Sequence, residues 1–462
     1  MAKRRTLPLS IIKILNTIIV MIPFALCWFL YYEPITTTAN SRQVSVLVLF
    51  VYFSLFYTLC LKLDGFRASV MKVSELIYSQ VIAVALTDVC AALGIWMLSI
   101  HFPNLFPGFL CFLGQCVIVP IICWINYSSY YKNHPPQKTL VVYDVRQGAE
   151  NLIDAYGMEK RFEVIGVSPI EEALENINIL DQAEVVFLCG IHSSDRNQIL
   201  KECMYRDLQV YIIPRIGDAL MSGAEQMHMF HLPMLRSKRF QPYSEYRVVK
   251  RFLDIVFSGI ALVLFSPIML MTAIAIKTDG GPVFYKQTRL TLNGKEFKIL
   301  KFRSMCVDAE KKTGAVLSSG KDDPRITKVG KIIRACRVDE MPQLINIFRG
   351  DMSIVGPRPE RPEIAAMYEE ELPEFKLRLQ AKAGLTGYAQ VYGKYNTTPY
   401  DKLLMDLMYV SCASLFMDLR IAIETLRILF DKRSTEGLDD ESVMLIYNER
   451  RNKKGEEQSA GN

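Results

Sequence analysis

Residues 248–277 read VVKRFLDIVFSGIALVLFSPIMLMTAIAIK, and the way this segment meets a bilayer decides where everything around it must lie. Its apolar core of about 25 residues is long enough to cross ~30 Å of hydrocarbon as a helix. Lys250 and Arg251 stand at one end, followed by Asp254, and Lys277 stands at the other. Ser266-Pro267 falls in the middle. Proline removes a backbone hydrogen bond and clashes with the preceding turn, which kinks a helix, and the Ser266 hydroxyl can satisfy a backbone group so freed. Basic residues at both ends favour the anionic headgroups of a single face. We therefore expect a kinked helix over residues 252–276 that enters the membrane and returns to the side it left. Such a re-entrant helix places Lys250, Arg251 and Asp254 at the interface.

Upstream, four more apolar segments occupy residues 7–32, 44–63, 76–100 and 105–125, each near the ~20 residues that a spanning helix needs. Lys3, Arg4, Arg5 and Lys13 precede or open the first. Lys62, Arg67 and Lys72 lie between the second and third, and Lys132 and Lys138 follow the fourth. Of the remaining two loops, only one carries a basic residue, Arg42. The positive-inside rule then puts the N-terminus and everything after residue 130 on the cytoplasmic side of a multi-pass inner-membrane protein. The first run is too long, and lacks the small-residue site, for a cleaved signal peptide. Asp88 is the single acid deep in these segments, so residues 1–130 read as a four-helix transmembrane anchor rather than a transport pathway.

A net charge of +6 across 462 residues implies no nucleic-acid surface. The eleven cysteines contain no CxxC pair, and six sit in apolar stretches, as small hydrophobes do. Pro135-Pro136 marks a boundary. Strand candidates at 138–144 (KTLVVYD), 184–189 and 208–213, with helical stretches between them, predict a Rossmann-like cytoplasmic α/β domain over residues 137–235. Its first strand-to-helix turn, YDVRQGAE, has one glycine where a dinucleotide fingerprint needs three, so no nucleotide site is expected there.

Beyond residue 280 the sequence becomes densely polar. Residues 280–305 (GGPVFYKQTRLTLNGKEFKILKFRSM) alternate like a hairpin turning at Leu292-Asn293-Gly294, and contribute Lys286, Arg289, Lys298, Lys301 and Arg303. Arg325, Lys328, Lys331, Arg334 and Arg337 follow, and then Asp339-Glu340. The pair alone could be an ordinary helix cap worth ~1 kcal/mol. Cations flanking two carboxylates beside a membrane-embedded helix suit diphosphate chemistry instead. No histidine occurs after His231, so proton chemistry here falls to carboxylates, lysines or water. Downstream, residues 400–409 and 415–430 read as amphipathic helices, and the tail after Asn452 reads as disordered.

Together KRFLD…SP, GGPVFYKQTR, FKILKFRSM, RVDEMPQLINIFRGDMSIVGPRPERP and GLTGYAQVYG resemble the bacterial polyprenyl-phosphate hexose-1-phosphate transferases, the initiating phosphoglycosyl transferases of capsule and exopolysaccharide synthesis. The motifs run in order through residues 248–462, and the preceding helices and α/β domain match the long form of that family. The resemblance implies an α+β catalytic domain over residues 248–462, Mg²⁺ as cofactor, and transfer of hexose-1-phosphate from a UDP-sugar to undecaprenyl phosphate with release of UMP. Asp339 would be the nucleophile, at the start of a helix running through Phe348, and Glu340 would act beside it at the metal. Arg358, held between Pro357 and Pro359, would grip the donor phosphates with a bidentate fork, and Lys301, Arg303 and Arg325 would line the substrate. Glucose or galactose is the expected sugar, with an N-acetylhexosamine as the alternative. Ala383 stands where the family's GLTG motif often has a preceding proline. A different class of function, an inactive membrane scaffold or sensor, would require the acid pair and the Pro-Arg-Pro turn to be idle. The expected partners are UDP-sugar, undecaprenyl phosphate and membrane lipid, and a homodimer through the α/β domain or the helices is compatible.

Overall fold

The computed structural model describes residues 9–36, 41–99, 102–144, 149–237, 239, 244–278, 280–306, 325–393 and 398–430. The basic N-terminus, the center of the YDVRQGAE turn and the C-terminal tail lie outside these residues. The chain divides into two compact units, Met1–Tyr211 and Ile212–Asn462.

The first unit opens with α1 (Leu9–Cys27), continued by a wider turn through Tyr32, then α2 (Ser41–Lys62), α3 (Val73–Leu98) and α4 (Phe106–Asn133). All four are long and apolar enough to cross a membrane. Polar side chains inside the group bond to one another, as burial demands. Trp28 donates to Ser45 Oγ at 2.9 Å, and Gln115 donates to the Val20 carbonyl at 3.1 Å and to Tyr52 at 2.8 Å. The Tyr52 hydroxyl donates in turn to Asp88 Oδ1 at 2.7 Å, so the one deep acid is tied into the helix contacts.

The α/β part follows as β1 (Gln137–Tyr143), α5 (Ala149–Ala155), β2 (Phe162–Pro169), α6 (Ile170–Glu175), β3 (Val185–Cys189), α7 (Ser193–Tyr205) and β4 (Gln209–Ile213). The sheet order is β2-β1-β3-β4, with β1 parallel to both neighbours, a doubly wound arrangement. Central β1 and β3 bury Leu140, Val142, Val186 and Leu188 and read as continuous apolar runs. Strand β2 was not apparent in the sequence. It lies at the sheet edge with half of its residues exposed, so it lacks the buried run that signals a central strand.

The second unit begins with α8 (Ile216–Met221) and the hairpin β5–β6 (Glu225–Met229, Leu232–Arg236). The α/β domain is expected from the sequence to run to residue 235, but after β4 ends the chain packs here: Ala219 of α8 buries with Phe375, Leu403, Leu404 and Leu407. The unit continues through α9 (Ser244–Thr278), the antiparallel pair β7 (Phe284–Leu290) and β8 (Glu296–Phe302), α10 (Lys328–Ala335), α11 (Gln343–Arg349), β9 (Ser353–Val355) and α12 (Pro362–Glu371). It closes with β10 (Gly384–Thr386), α13 (Tyr388–Tyr392), α14 (Pro399–Cys412) and α15 (Leu415–Phe430). Asn293 (φ 59°) and Gly294 (φ 76°) make the β7–β8 turn in the left-handed region that this dipeptide tolerates. Parallel β9 and β10 approach unusually closely: a Cβ on Gly384 would lie 2.2 Å from Gly356 N, and one on Gly387 2.1 Å from the Gly356 carbonyl oxygen.

Helix α9 is fixed to this unit near both ends. Near its start, Lys250 pairs with Asp418 at 2.6 Å, and Arg251 donates to the Ile347 and Phe348 carbonyls at 2.7 Å each. Asp254 accepts from Ile354 N at 2.9 Å and Ser353 Oγ at 3.2 Å. Near its end, Ile276 buries against Phe302 and Ile333. Between them Phe257, Ile260, Val263, Leu264 and Leu270 stand exposed. Ser266 Oγ donates to the Val263 carbonyl at 2.7 Å, and this is the acceptor that the missing N–H of Pro267 leaves unpaired, four residues back.

Ser266→Ala is therefore expected to lower stability by about 1 kcal/mol, and to cost almost nothing in a Pro267→Ala background, where the backbone N–H returns. Thermal unfolding of the four variants in detergent measures the coupling. Equal losses in the two backgrounds would show that the hydroxyl does not serve that carbonyl.

Candidate functional site

The Asp-Glu pair sits on tighter backbone than expected. Arg337 adopts the left-handed conformation (φ 55°), and Val338–Glu340 then form a single 3-10 turn. The regular helix begins only at Gln343, not at Asp339. Proline is the cause. Pro342 has no N–H to give to the Val338 carbonyl, which instead accepts from Met341 at 3.1 Å in a tighter turn. The helix that follows is only seven residues long, so the charge that shapes this site comes from side chains rather than from a long helix dipole.

Lys301, near the end of β8, places Nζ 2.6 Å from Glu340 Oε1, and Arg358 Nη2 lies 3.7 Å from the same oxygen. Burial pushes Glu340 up, but Lys301, Arg358 and Arg337 outweigh it and bring its pKa down to about 2. Asp339 moves the opposite way. Burial and the neighbouring Glu340 charge raise it, and Lys301 and Arg334 only partly offset that. One carboxylate is thus firmly anionic, and the other is the more basic, desolvated one.

The turn at residues 356–360 is held by its carbonyls. Prolines 357 and 359 provide no N–H, and the surrounding elements supply the donors: Gly384 N to Pro357 O (2.9 Å), Arg378 to Arg358 O (2.9 Å), Arg289 to Pro359 O (3.0 Å) and Leu290 N to Glu360 O (3.0 Å). The Arg358 side chain keeps 43% of its surface exposed and faces the acid pair. Beneath the turn lies a buried charge cluster. Arg378 meets Asp406 at 2.6 Å with the two side chains 2% and 1% exposed, and Glu360 pairs with Lys402.

The other expected site residues make contacts within the domain. Arg303 is buried, donates to the Ile276 carbonyl at 3.3 Å and ties down the end of α9. Arg325 lies beside the Met305–Ile326 bridge, where its carbonyl accepts from Cys306 N at 2.9 Å. Lys250, Arg251 and Asp254, expected at the interface, each bond to the domain. Sequence reasoning missed Arg378, Asp406, Glu360 and Lys402. The available signal was Asp406, a lone acid between Leu403, Leu404, Leu407 and Val410 on the buried face of α14. Among the described residues no cluster of three or more His, Cys, Asp or Glu side chains could hold a metal. Two adjacent carboxylates still match Mg²⁺, which commonly takes one or two and fills its shell with substrate phosphate and water.

Burial raises the Glu360 carboxyl, but Lys402 and then Arg378 outweigh it and hold it below its ordinary 4.5. A carboxylate depressed on folding lends stability above its unfolded value and loses it as pH falls through the folded one. Glu360→Gln leaves buried Lys402 unpaired and is expected to cost about 3 kcal/mol at neutral pH. Unfolding midpoints measured against pH should show the gap to wild type closing only below 4.5. A gap that stays constant into acid would remove the ion pair as its cause.

The sequence matches the bacterial sugar transferase family over residues 245–432, a span containing α9, the acid pair and the Pro-Arg-Pro turn. It is 36% identical over 236 residues to the UDP-N-acetylgalactosamine-undecaprenyl-phosphate N-acetylgalactosaminephosphotransferase of Aeromonas hydrophila, covering 50% of this chain and 55% of that one. It is 41% identical over 182 residues to the UDP-glucose:undecaprenyl-phosphate glucose-1-phosphate transferase of Caulobacter vibrioides, covering 38% and 67%. It is 42% identical over 187 residues to the exopolysaccharide production protein PSS of Rhizobium leguminosarum bv. phaseoli, covering 38% of this chain and 93% of that protein. The chain thus spans about half the length of the Aeromonas relative but nearly all of the Rhizobium one. With five apolar helices of membrane-crossing length among the described residues and a site built inside the matched span, this membrane-associated chain belongs to the bacterial sugar transferase family.

Proposed function

We propose that the chain transfers a sugar-1-phosphate from a UDP-sugar to undecaprenyl phosphate and releases UMP, the first membrane step of exopolysaccharide or capsule synthesis. The observation that carries this reading is the unequal acid pair: Glu340 held anionic by Lys301 at 2.6 Å beside a desolvated, more basic Asp339. An Asp339 oxygen bonds to the phosphorus bearing the sugar, and the P–O bond to UMP breaks with its electron pair leaving on UMP. An oxygen of the lipid phosphate then attacks the same phosphorus and returns the carboxylate. Splitting one displacement into two is the use of a carboxylate nucleophile. The lipid phosphate is already anionic at neutral pH, so neither step requires a histidine.

Lys301 orients Glu340, and the exposed Arg358 guanidinium matches the bidentate geometry of a diphosphate. Mg²⁺ held by Glu340 would neutralise charge developing on the transferred phosphate. Helix α9 supports the membrane reading. Both its ends are bonded or packed into one domain, as a helix that re-enters on the side it left requires, and its middle exposes apolar side chains of the kind that lipid would cover. The basic loops favour the cytoplasm for that side, where the nucleotide sugar is found. Glucose or galactose remains the proposed sugar. An N-acetylhexosamine is the second reading, favoured by the sugar for which the Aeromonas relative is named.

Detergent-purified protein, Mg²⁺, undecaprenyl phosphate and a panel of UDP-sugars provide the test. Lipid-dependent UMP release from one sugar is expected. Asp339→Asn should lower it by about 10³-fold, ~4 kcal/mol of barrier, and EDTA should abolish it until Mg²⁺ is restored. Unchanged release from Asp339→Asn would move the nucleophile elsewhere, and no turnover of any sugar by folded protein would favour a scaffold.

A further inference from the structure

The Pro-Arg-Pro turn presents consecutive carbonyls and few donors, because two of its residues have no N–H. Its conformation therefore depends on donors supplied from outside. The donor to Arg358 itself is Arg378 Nη2, at 2.9 Å. That guanidinium is not free to wander. Its Nε and Nη2 both meet Asp406 Oδ2, at 2.8 and 2.6 Å, its Nη1 lies 3.8 Å from Glu360 Oε1, and it packs over the Phe375 ring at 5.0 Å. Asp406 projects from α14, whose other buried positions are Leu403, Leu404, Leu407, Tyr409 and Val410. A buried ion pair at such a place is often no more stable than apolar side chains of the same volume. What the pair provides that leucine could not is a rigid donor aimed at one carbonyl.

We infer that Arg378, oriented by Asp406, is a positioning residue: it fixes the backbone at Arg358 and so aims the Arg358 guanidinium, 3.7 Å from Glu340, at the donor diphosphate. The inference rests on the proposed reaction for its kinetic consequence, but not for its structural one. Arg378 touches no reacting group. Its influence passes through Arg358, so the effects of losing the two should not multiply.

Two variants test this. Arg378→Lys keeps a charge opposite Asp406 but has no fork to reach the Arg358 carbonyl. The double substitution Arg378→Met with Asp406→Leu removes both charges and leaves neither unpaired. Both are expected to unfold within a few degrees of wild type and to show a kcat/KM for the UDP-sugar at least tenfold lower. In an Arg358→Ala background the same changes should alter kcat/KM less than twofold. Hydrogen exchange gives a second readout that needs no activity: the amides of Gly356, Arg358, Glu360 and Arg361 should exchange at least tenfold faster in both variants, with α14 unchanged. Losses that multiply with Arg358→Ala, or a turn whose exchange stays at the wild-type rate, overturn the inference. Should wild type release no UMP, the proposed reaction fails, and the exchange rates alone still decide whether Arg378 holds the turn.

Discussion

Lys301 Nζ lies 2.6 Å from Glu340 Oε1, and most of the site's chemistry follows from that contact. Two carboxylates on adjacent residues in a half-enclosed place repel each other, and burial penalises both charges. A lysine against one of them breaks the symmetry. Glu340 becomes an anion that persists into strong acid, and its charge helps raise Asp339. The position of that lysine is in turn a matter of strand register. Lys301 sits opposite Tyr285 in the β7–β8 ladder, and the Asn293-Gly294 turn sets the pairing. A slip of one residue would carry Lys301 to the opposite face of the ribbon. The short loop between the two strands thus bears on which carboxylate is charged.

The second constraint is α9. Its first turns bond to α11, β9 and α15 through Arg251, Asp254 and Lys250, and its last buried residue packs under β8 and α10. The elements it contacts include α10 and α11, which flank the acid pair, and β8, which carries Lys301. The apolar surface of the helix and the polar site therefore belong to one framework, which suits chemistry between a lipid-borne phosphate and a water-soluble nucleotide. The Ser266 hydroxyl on the Val263 carbonyl lets a proline stand inside that helix without an orphaned acceptor.

Much of this was legible in the sequence because it is local. Helix α9, the Asn-Gly hairpin and the Asp-Glu and Pro-Arg-Pro motifs each lie within a few dozen consecutive residues, where period and turn chemistry can be read directly. The edge strand β2 escaped notice because its exposed residues lack a buried run. The start of α11 was placed too early because a helix cap and a 3-10 turn before proline look alike in one dimension. The supports of the Arg358 turn were invisible for another reason. Arg289, Arg378, Lys402 and Asp406 are far apart in the chain and meet only after folding. Arg303 shows the converse, a cation in a motif that reads as substrate contact but serves a helix end.

The central claim is that Asp339 carries the sugar phosphate between donor and lipid. The most direct measurement is intact-protein and peptide mass spectrometry after mixing the enzyme with its UDP-sugar in the absence of undecaprenyl phosphate. The account predicts a mass increase of one sugar phosphate on the peptide containing Asp339, discharged when the lipid is added and absent from Asp339→Asn. An enzyme that turns over with lipid, yet never carries that mass at any stage of the reaction, would contradict it and point to direct transfer from nucleotide to lipid.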